Sequence, residues 1–132
     1  MITAFYAGLL GLWLCYLYTA VVKYRREYHV GLGDGDKEDL HKAIRIHGNF
    51  TETVPYVLII MILLEMMSAP HLWILHVFGA GLIVSRLLHF MGLRKSSGAS
   101  RERTIAGGMT IGLIIAGCVL LLWKSGGAVF GL

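Results

Sequence analysis

The chain has 132 residues, of which 56% are apolar and 15% are charged, and its mean hydropathy is +0.67. A disordered chain is excluded because disorder combines low hydrophobicity with high charge. A soluble domain of this length is excluded because its interior is too small to hide so many apolar residues. The net charge of +4 comes from Lys and Arg gathered mostly outside the apolar segments, so it does not indicate nucleic-acid binding. The composition predicts an integral membrane protein.

Four apolar segments follow one another along the chain. They are long enough, or nearly so, to supply the roughly 20 residues with which a helix crosses the hydrocarbon core. The pattern predicts an all-α membrane protein, a four-transmembrane-helix bundle that forms a single domain over residues 1–132. The predicted spans are residues 2–22, 43–67, 72–93 and 104–123. Pro70 is expected to mark the turn between the second and third spans.

The loops between these spans differ in charge. The loops after the first and third spans are rich in Lys and Arg, whereas the loop after the second span has neither. By the positive-inside rule, the two basic loops face the cytoplasm and both chain ends face the opposite side. We therefore expect a multi-pass protein of the cell membrane, which would be the inner membrane in a Gram-negative bacterium.

A stripe of polar residues opens the second span. Arg45, Asn49, Glu52 and Tyr56 fall within about 60° of one another on a helical wheel, and His41 extends the stripe by one turn. A cation, an amide, an anion and a phenol on one face cannot lie comfortably against lipid. This face is expected to lie against another helix or a polar cavity.

Further ionisable residues lie within the third span and at the start of the fourth. Arg86 and His89 interrupt the third span, and such residues at membrane depth are costly and often functional. One interpretation is a network that holds helices together, with Arg45 or Arg86 paired to Glu52. The other is an anion-binding cavity near the cytoplasmic side, which the excess of arginines over one acid favours. The arginines on that side are Arg25, Arg26, Arg45, Arg86, Arg94, Arg101 and Arg103.

Other polar residues have simpler interpretations. Glu65 ends the second span and is expected to be solvated at the interface. Cys15 and Cys118 lie in separate apolar segments without metal-ligand spacing, so we predict two buried thiols that pack as small hydrophobes and no metal site.

The residues RIHGNFTETVP at positions 45–55 resemble the RxHxNxxExxP signature of the membrane-associated proteins in eicosanoid and glutathione metabolism, the MAPEG family. The loop VGLGDG at positions 30–35 looks like the corresponding loop of bacterial members. Arg86, His89 and Arg103 also fall where that family places such residues. Length, four spans and orientation agree, so the resemblance covers essentially the whole chain.

The resemblance implies a homotrimer in which glutathione, the co-substrate, binds in clefts between neighbouring subunits near the cytoplasmic side. Enzymes of this family conjugate glutathione to lipophilic electrophiles, reduce lipid hydroperoxides or isomerise lipid endoperoxides. The expected function is therefore a glutathione-dependent membrane transferase or peroxidase, whose partners are glutathione, a lipophilic electrophile or lipid hydroperoxide, membrane lipid and further copies of the chain.

The resemblance also implies binding roles for individual residues. Residues that match Arg45 and Asn49 hold the peptide, and Glu52 matches the residue that pairs with the ammonium group of glutathione. Either Arg26 or Arg25 would contact the ligand from the neighbouring subunit. His89 matches a residue that lines the same site, and Arg86, one turn before it, is also expected to bind glutathione.

A catalytic role is implied for Arg103, which matches the arginine thought to activate the glutathione thiol. Thr104 could donate a second hydrogen bond to the sulfur. Arg101, two residues earlier, is the alternative candidate for activating the thiol. Leu93 stands where some members have a tyrosine that contacts glutathione, so that contact is absent or replaced here.

Two other functions stay open at this point. The family includes members without catalytic activity, so a non-catalytic membrane scaffold is one alternative. A small four-span transporter that uses Glu52 is the other, although a transporter predicts one carboxylate in an otherwise uncharged cavity.

Overall fold

A computed structural model describes residues 1–67, 71–95 and 101–130 of the chain. Four helices follow one another, and the predicted turn at Pro70 lies outside the described residues. The helices are α1 (Ile2–Tyr28), α2 (Glu38–Met66), α3 (Leu72–Lys95) and α4 (Arg101–Phe130). All four are long and apolar enough to cross a membrane, so the predicted all-helical, four-span fold is confirmed.

The helices alternate in direction. We call the end where α1 and α3 finish and α2 and α4 begin the basic end. Here α1 and α2 extend beyond the predicted spans, to Tyr28 and Glu38 respectively. The residue after α1, His29, has a φ of 53°, and its backbone N–H donates to carbonyl oxygens of the last turn of α1. Acidic residues in the first turn of α2 complement its helix dipole.

The second and third helices organise the bundle, because each of them contacts all three other helices. Within the described residues α1 and α4 do not contact each other. The buried residues of α2 recur at helical spacing, and they pack against apolar residues of α1 and α3. Its core residues include Phe50, Val54, Val57, Ile60, Met61 and Leu64.

Two glycines let helices approach closely. A Cβ added at Gly79 of α3 would overlap the ring of Tyr6 in α1, and one added at Gly117 of α4 would overlap the side chain of Ile60 in α2. Small residues at helix contacts are typical of membrane bundles.

The carboxylate of Glu65 caps the start of α1. Its two oxygens accept hydrogen bonds from the backbone N–H groups of Ile2 at 2.5 Å and Thr3 at 3.0 Å. The terminal amine of Met1 lies 3.9 Å away. The expectation that Glu65 is solvated was therefore wrong, because the end of α2 lies beside the first turn of α1, whose N–H groups need acceptors.

Candidate functional site

One group of polar residues is buried among α2, α3 and α4. We call it the buried cluster, and its centre is Arg86, whose side chain is only 4% exposed. Arg86 Nη1 donates to Asn49 Oδ1 at 2.7 Å and to Thr53 Oγ1 at 2.9 Å. The other terminal nitrogen, Nη2, donates to Thr110 Oγ1, and Nε donates to Ser85 Oγ at 3.3 Å.

The hydroxyl groups of the buried cluster are themselves tied to backbone. Thr53 Oγ1 donates to the Asn49 carbonyl at 2.8 Å, and Ser85 Oγ donates to the Leu82 carbonyl at 2.9 Å. The cluster therefore holds three helices together through a guanidinium surrounded by neutral acceptors. The expected interhelical network exists, but its partners for Arg86 are Asn49, Thr53, Ser85 and Thr110, and Glu52 is not among them.

A second group of polar residues lies on the outward side of α2. We call Arg45, Glu52 and Tyr56, with His41 at the basic end, the outer stripe. All four are exposed. Glu52 lies about 21 Å along the axis of α2 from Glu38, which is well inside a spanning helix. Within the described parts of the chain, neither the side chain of Arg45 nor that of Glu52 has a hydrogen bond or an ion pair.

The structure thus divides the stripe that the sequence predicts. Asn49 is half-buried at its edge and turns its amide oxygen to Arg86, whereas Arg45 and Glu52 point outward. Tyr56 is 50% exposed, and its hydroxyl lies 3.9 Å from Cys118 Sγ of α4. Cys118 is half-buried and Cys15 is exposed, so the prediction of two buried thiols was wrong.

The outer stripe is close to the other predicted site residues. His89 is half-buried, and it lies within electrostatic range of Arg45, Arg86 and Arg103. Three helices therefore contribute guanidinium groups to one region at the basic end.

In the first turn of α4, the two arginines that are candidates for activating the thiol have different surroundings. Arg103 is half-buried and acts electrostatically on His89, whereas Arg101 is exposed. A separation of two residues turns these side chains about 160° apart around the helix. Thr104, beside Arg103, is exposed.

The last turn of α1 separates Arg25 from Arg26. Arg25 Nη1 donates to the carbonyl oxygens of Val30, Gly31 and Gly33 at 3.0–3.3 Å. The side chain of Arg26 is exposed and has no hydrogen bond or ion pair with the described residues. Of the two candidates for contact with a neighbouring subunit, Arg26 is therefore the one whose guanidinium is free.

A dyad of Asp34 and His41, which was not predicted from the sequence, joins the loop that Arg25 holds to α2. Asp34 Oδ2 lies 2.6 Å from His41 Nδ1, and Asp34 Oδ1 accepts the backbone N–H of Asp36 at 3.1 Å. These hydrogen bonds hold the pKa of Asp34 below its usual value. The dyad places an oriented imidazole at the basic end of the outer stripe. The one feature of the sequence that could have indicated this dyad is the seven-residue spacing of an acid and a histidine around a glycine-rich turn.

Comparison with known proteins places the chain in a family. Residues 3–123 match the MAPEG family. The chain is 40% identical over 92 residues, 70% of each chain, to the inner membrane protein YecN of Escherichia coli K12, and equally to the YecN of Escherichia coli O6:H1. No solved structure matches it. The resemblance inferred from the sequence is therefore confirmed, and the chain belongs to the MAPEG family.

Proposed function

We propose that the chain is a glutathione-dependent enzyme of the inner membrane, a transferase or peroxidase that activates the glutathione thiol for reaction with lipophilic electrophiles or lipid hydroperoxides. The observation that supports this most is the outer stripe. An arginine and a glutamate stand exposed on a spanning helix without partners in the described chain, and such groups are costly against lipid. A ligand and a neighbouring subunit would together satisfy them.

The chemistry of glutathione fits these residues. Its carboxylates suit the fork of donors on Arg45, and its ammonium group suits the carboxylate of Glu52. We assign Arg26 as the contact from the neighbouring subunit of a homotrimer, because Arg25 is already bound to loop carbonyls. Asn49 still has amide N–H groups to offer, since its hydrogen bond to Arg86 uses the side-chain oxygen.

Arg86 has a different role in this proposal. Its guanidinium is buried and bound to side chains of the same chain, so it positions Asn49 and does not meet the ligand directly. His89 lines the site between Arg86 and Arg103.

Thiol activation is assigned to Arg103. The thiolate is the nucleophile, and a free thiol has a pKa of about 8.5. A guanidinium beside the sulfur stabilises the thiolate, and the N-terminus of α4 adds positive potential. Lowering the thiol pKa to about 6.5 would correspond to roughly 2.7 kcal/mol. Thr104 would donate a second hydrogen bond to the sulfur.

In the transferase reaction, the thiolate attacks an electrophilic carbon, a carbon–sulfur bond forms, and the leaving group departs with its electron pair. In the peroxidase reaction, the thiolate attacks the hydroperoxide oxygen and releases an alcohol after proton transfer. The sulfenic acid formed on the first glutathione is then reduced by a second glutathione, which gives the disulfide and water.

Binding and chemistry are tested separately. Millimolar glutathione should raise the melting temperature of the detergent-solubilised protein, and the protein should conjugate glutathione to a chromogenic aryl halide. No thermal shift would overturn the proposal and leave a scaffold or a transporter.

The role of Arg103 has a matched control in Arg101. Arg103→Ala should keep the thermal shift but lose the ultraviolet absorbance of the bound thiolate and about 100-fold in activity, the usual size of such electrostatic contributions. Arg101→Ala should behave like the wild type. An unchanged thiolate signal in Arg103→Ala would remove the catalytic role from that residue.

A further inference from the structure

A cavity of about 260 Å³ lies between α1 and α2, away from the outer stripe. Ala43 and Ile46 line it from α2, and on a helical wheel they point at least 100° away from Arg45. Leu17 lines it from α1, and Phe90 of α3 also contributes. None of the proposed glutathione ligands belongs to its lining.

The cavity changes in polarity along the membrane normal. Asp39 and Lys42 line it in the first turns of α2, at the basic end. Ile46 lies about 12 Å along the axis of α2 from its first residue, and Leu17 lies about 16 Å from the last residue of α1. The cavity is therefore charged at the membrane surface and, apart from Tyr16, lined by apolar residues at the depth of acyl chains, in the same order as a membrane lipid.

The charged rim of the cavity offers one cation, Lys42, and one acid, Asp39. Lys42 Nζ lies 2.7 Å from Glu38 Oε1, and an ammonium group has further N–H donors to offer. Asp39 Oδ2 accepts a hydrogen bond from the Tyr28 hydroxyl at 3.4 Å, and its second oxygen remains an acceptor. The rim can thus bind a phosphate and an ammonium group together, whereas a headgroup without an ammonium group would leave the carboxylate of Asp39 without its ion pair.

We propose that this cavity binds a zwitterionic phospholipid with an ammonium headgroup. The lipid phosphate pairs with Lys42, and the ammonium group pairs with Asp39. The glycerol and the start of one acyl chain lie against Leu17, Ile46 and Phe90, since a cavity beside spanning helices is filled by the molecules of the bilayer. This site is independent of glutathione and does not rest on the proposed enzyme function.

Lipid selectivity tests the headgroup assignment. The full chain is delipidated in detergent, mixed with equal amounts of phosphatidylethanolamine and phosphatidylglycerol, and analysed by native mass spectrometry. The wild type should retain phosphatidylethanolamine with a preference of roughly fivefold, the size expected for one exposed ion pair. Asp39→Asn should remove that preference, whereas Asp36→Asn, which removes an exposed acid nearby, should keep it. Equal retention of the two lipids by the wild type would overturn the proposal.

Filling the cavity tests its location. Ala43→Phe places a ring in the cavity and should reduce the retained lipid at least threefold, roughly the loss expected when part of the apolar contact is displaced. Ala80→Phe makes the same change at an exposed position of α3 and should leave retention unchanged. Undiminished retention in Ala43→Phe would show that the lipid binds elsewhere. If Ala43→Phe does not fold, the comparison of Asp39→Asn with Asp36→Asn decides alone.

Discussion

Two charged regions at the basic half of the bundle differ in how their charges are satisfied. In the buried cluster, Arg86 is almost inaccessible, and its guanidinium is bound by side chains of α2, α3 and α4. In the outer stripe, Arg45 and Glu52 are exposed on a spanning helix, and the described chain offers them no partner. The two regions meet at Asn49, which lies between them.

This difference separates the residues that stabilise the fold from the residues that are available to bind a ligand. A buried guanidinium surrounded by acceptors holds helices in register, and removal of one acceptor leaves one of its N–H donors without a partner. Exposed charges at membrane depth contribute nothing to the fold of one subunit, so their free energy is recovered only by a ligand or a neighbour. Variants in the first region should therefore change stability, and variants in the second should change binding.

The largest expected effect is on stability, at Thr110. Thr110→Val removes the hydroxyl that accepts from Arg86 Nη2 and should lower the free energy of unfolding by about 2 kcal/mol, the range of hydrogen bonds to charged groups. Unfolding in mixed micelles measures it. Thr51→Val, at an exposed position of α2, should stay within about 0.5 kcal/mol of the wild type. Equal stabilities of the two variants would contradict a structural role for the buried cluster.

A smaller effect is expected on binding, at Glu52. Glu52→Gln should leave the ligand-free stability unchanged but weaken glutathione binding at least tenfold, which corresponds to about 1.4 kcal/mol. Isothermal titration of the solubilised protein measures the affinity. A loss of ligand-free stability with unchanged affinity would reverse the assignments of the two regions.

Some features of both regions were predictable from the sequence, and others were not. The helical spacing of Arg45, Asn49 and Glu52 predicts a shared face, because that pattern depends only on the helix repeat. The division of this face at Asn49 depends on where α3 crosses α2, which the spacing does not determine. The short hydroxyl side chains of Ser85 and Thr110 inside apolar spans were the available signal for the buried cluster.

The loop after α1 was harder to predict. Its path includes four residues with positive φ, namely His29, Gly33, Gly35 and Asp36. That path turns three carbonyl oxygens toward Arg25, and no sequence pattern marks such a convergence. For the same reason the sequence alone left Arg25 and Arg26 as equal candidates.

The next largest effect is expected on the amide hydrogen exchange of the loop after α1. Arg25→Gln should increase amide hydrogen exchange over residues 29–37 by roughly fivefold, because the loop loses charge-assisted hydrogen bonds of about 1 kcal/mol. Arg26→Gln should leave this exchange unchanged and weaken glutathione binding instead. Equal exchange in the two variants would remove the distinction between a loop clamp and a ligand contact.

The smallest effect is expected from pH, at the Asp34–His41 dyad. The pKa of Asp34 is lowered by its hydrogen bonds, so the ionised form stabilises the folded loop. This stabilisation is fully present above the unfolded pKa of about 3.9 and is lost as the pH falls through the lower folded value. Protection factors over residues 29–37 should therefore show no loss from about pH 7 to 4 and should fall below that. Asp34→Asn should abolish the dependence, and a fall that begins near neutral pH would contradict it.

The most direct test of the outer stripe as a ligand site shared between subunits of the proposed homotrimer uses mixed trimers. Chains with Arg26→Ala keep an intact stripe, and chains with Glu52→Gln keep an intact Arg26. In every cyclic trimer that contains both chains, one interface joins an intact stripe to an intact Arg26. Two affinity tags isolate these mixed trimers, and glutathione binding is then counted by titration. We predict about one high-affinity site for each mixed trimer and none for either parent variant. Mixed trimers that bind no better than the parents would contradict a shared site.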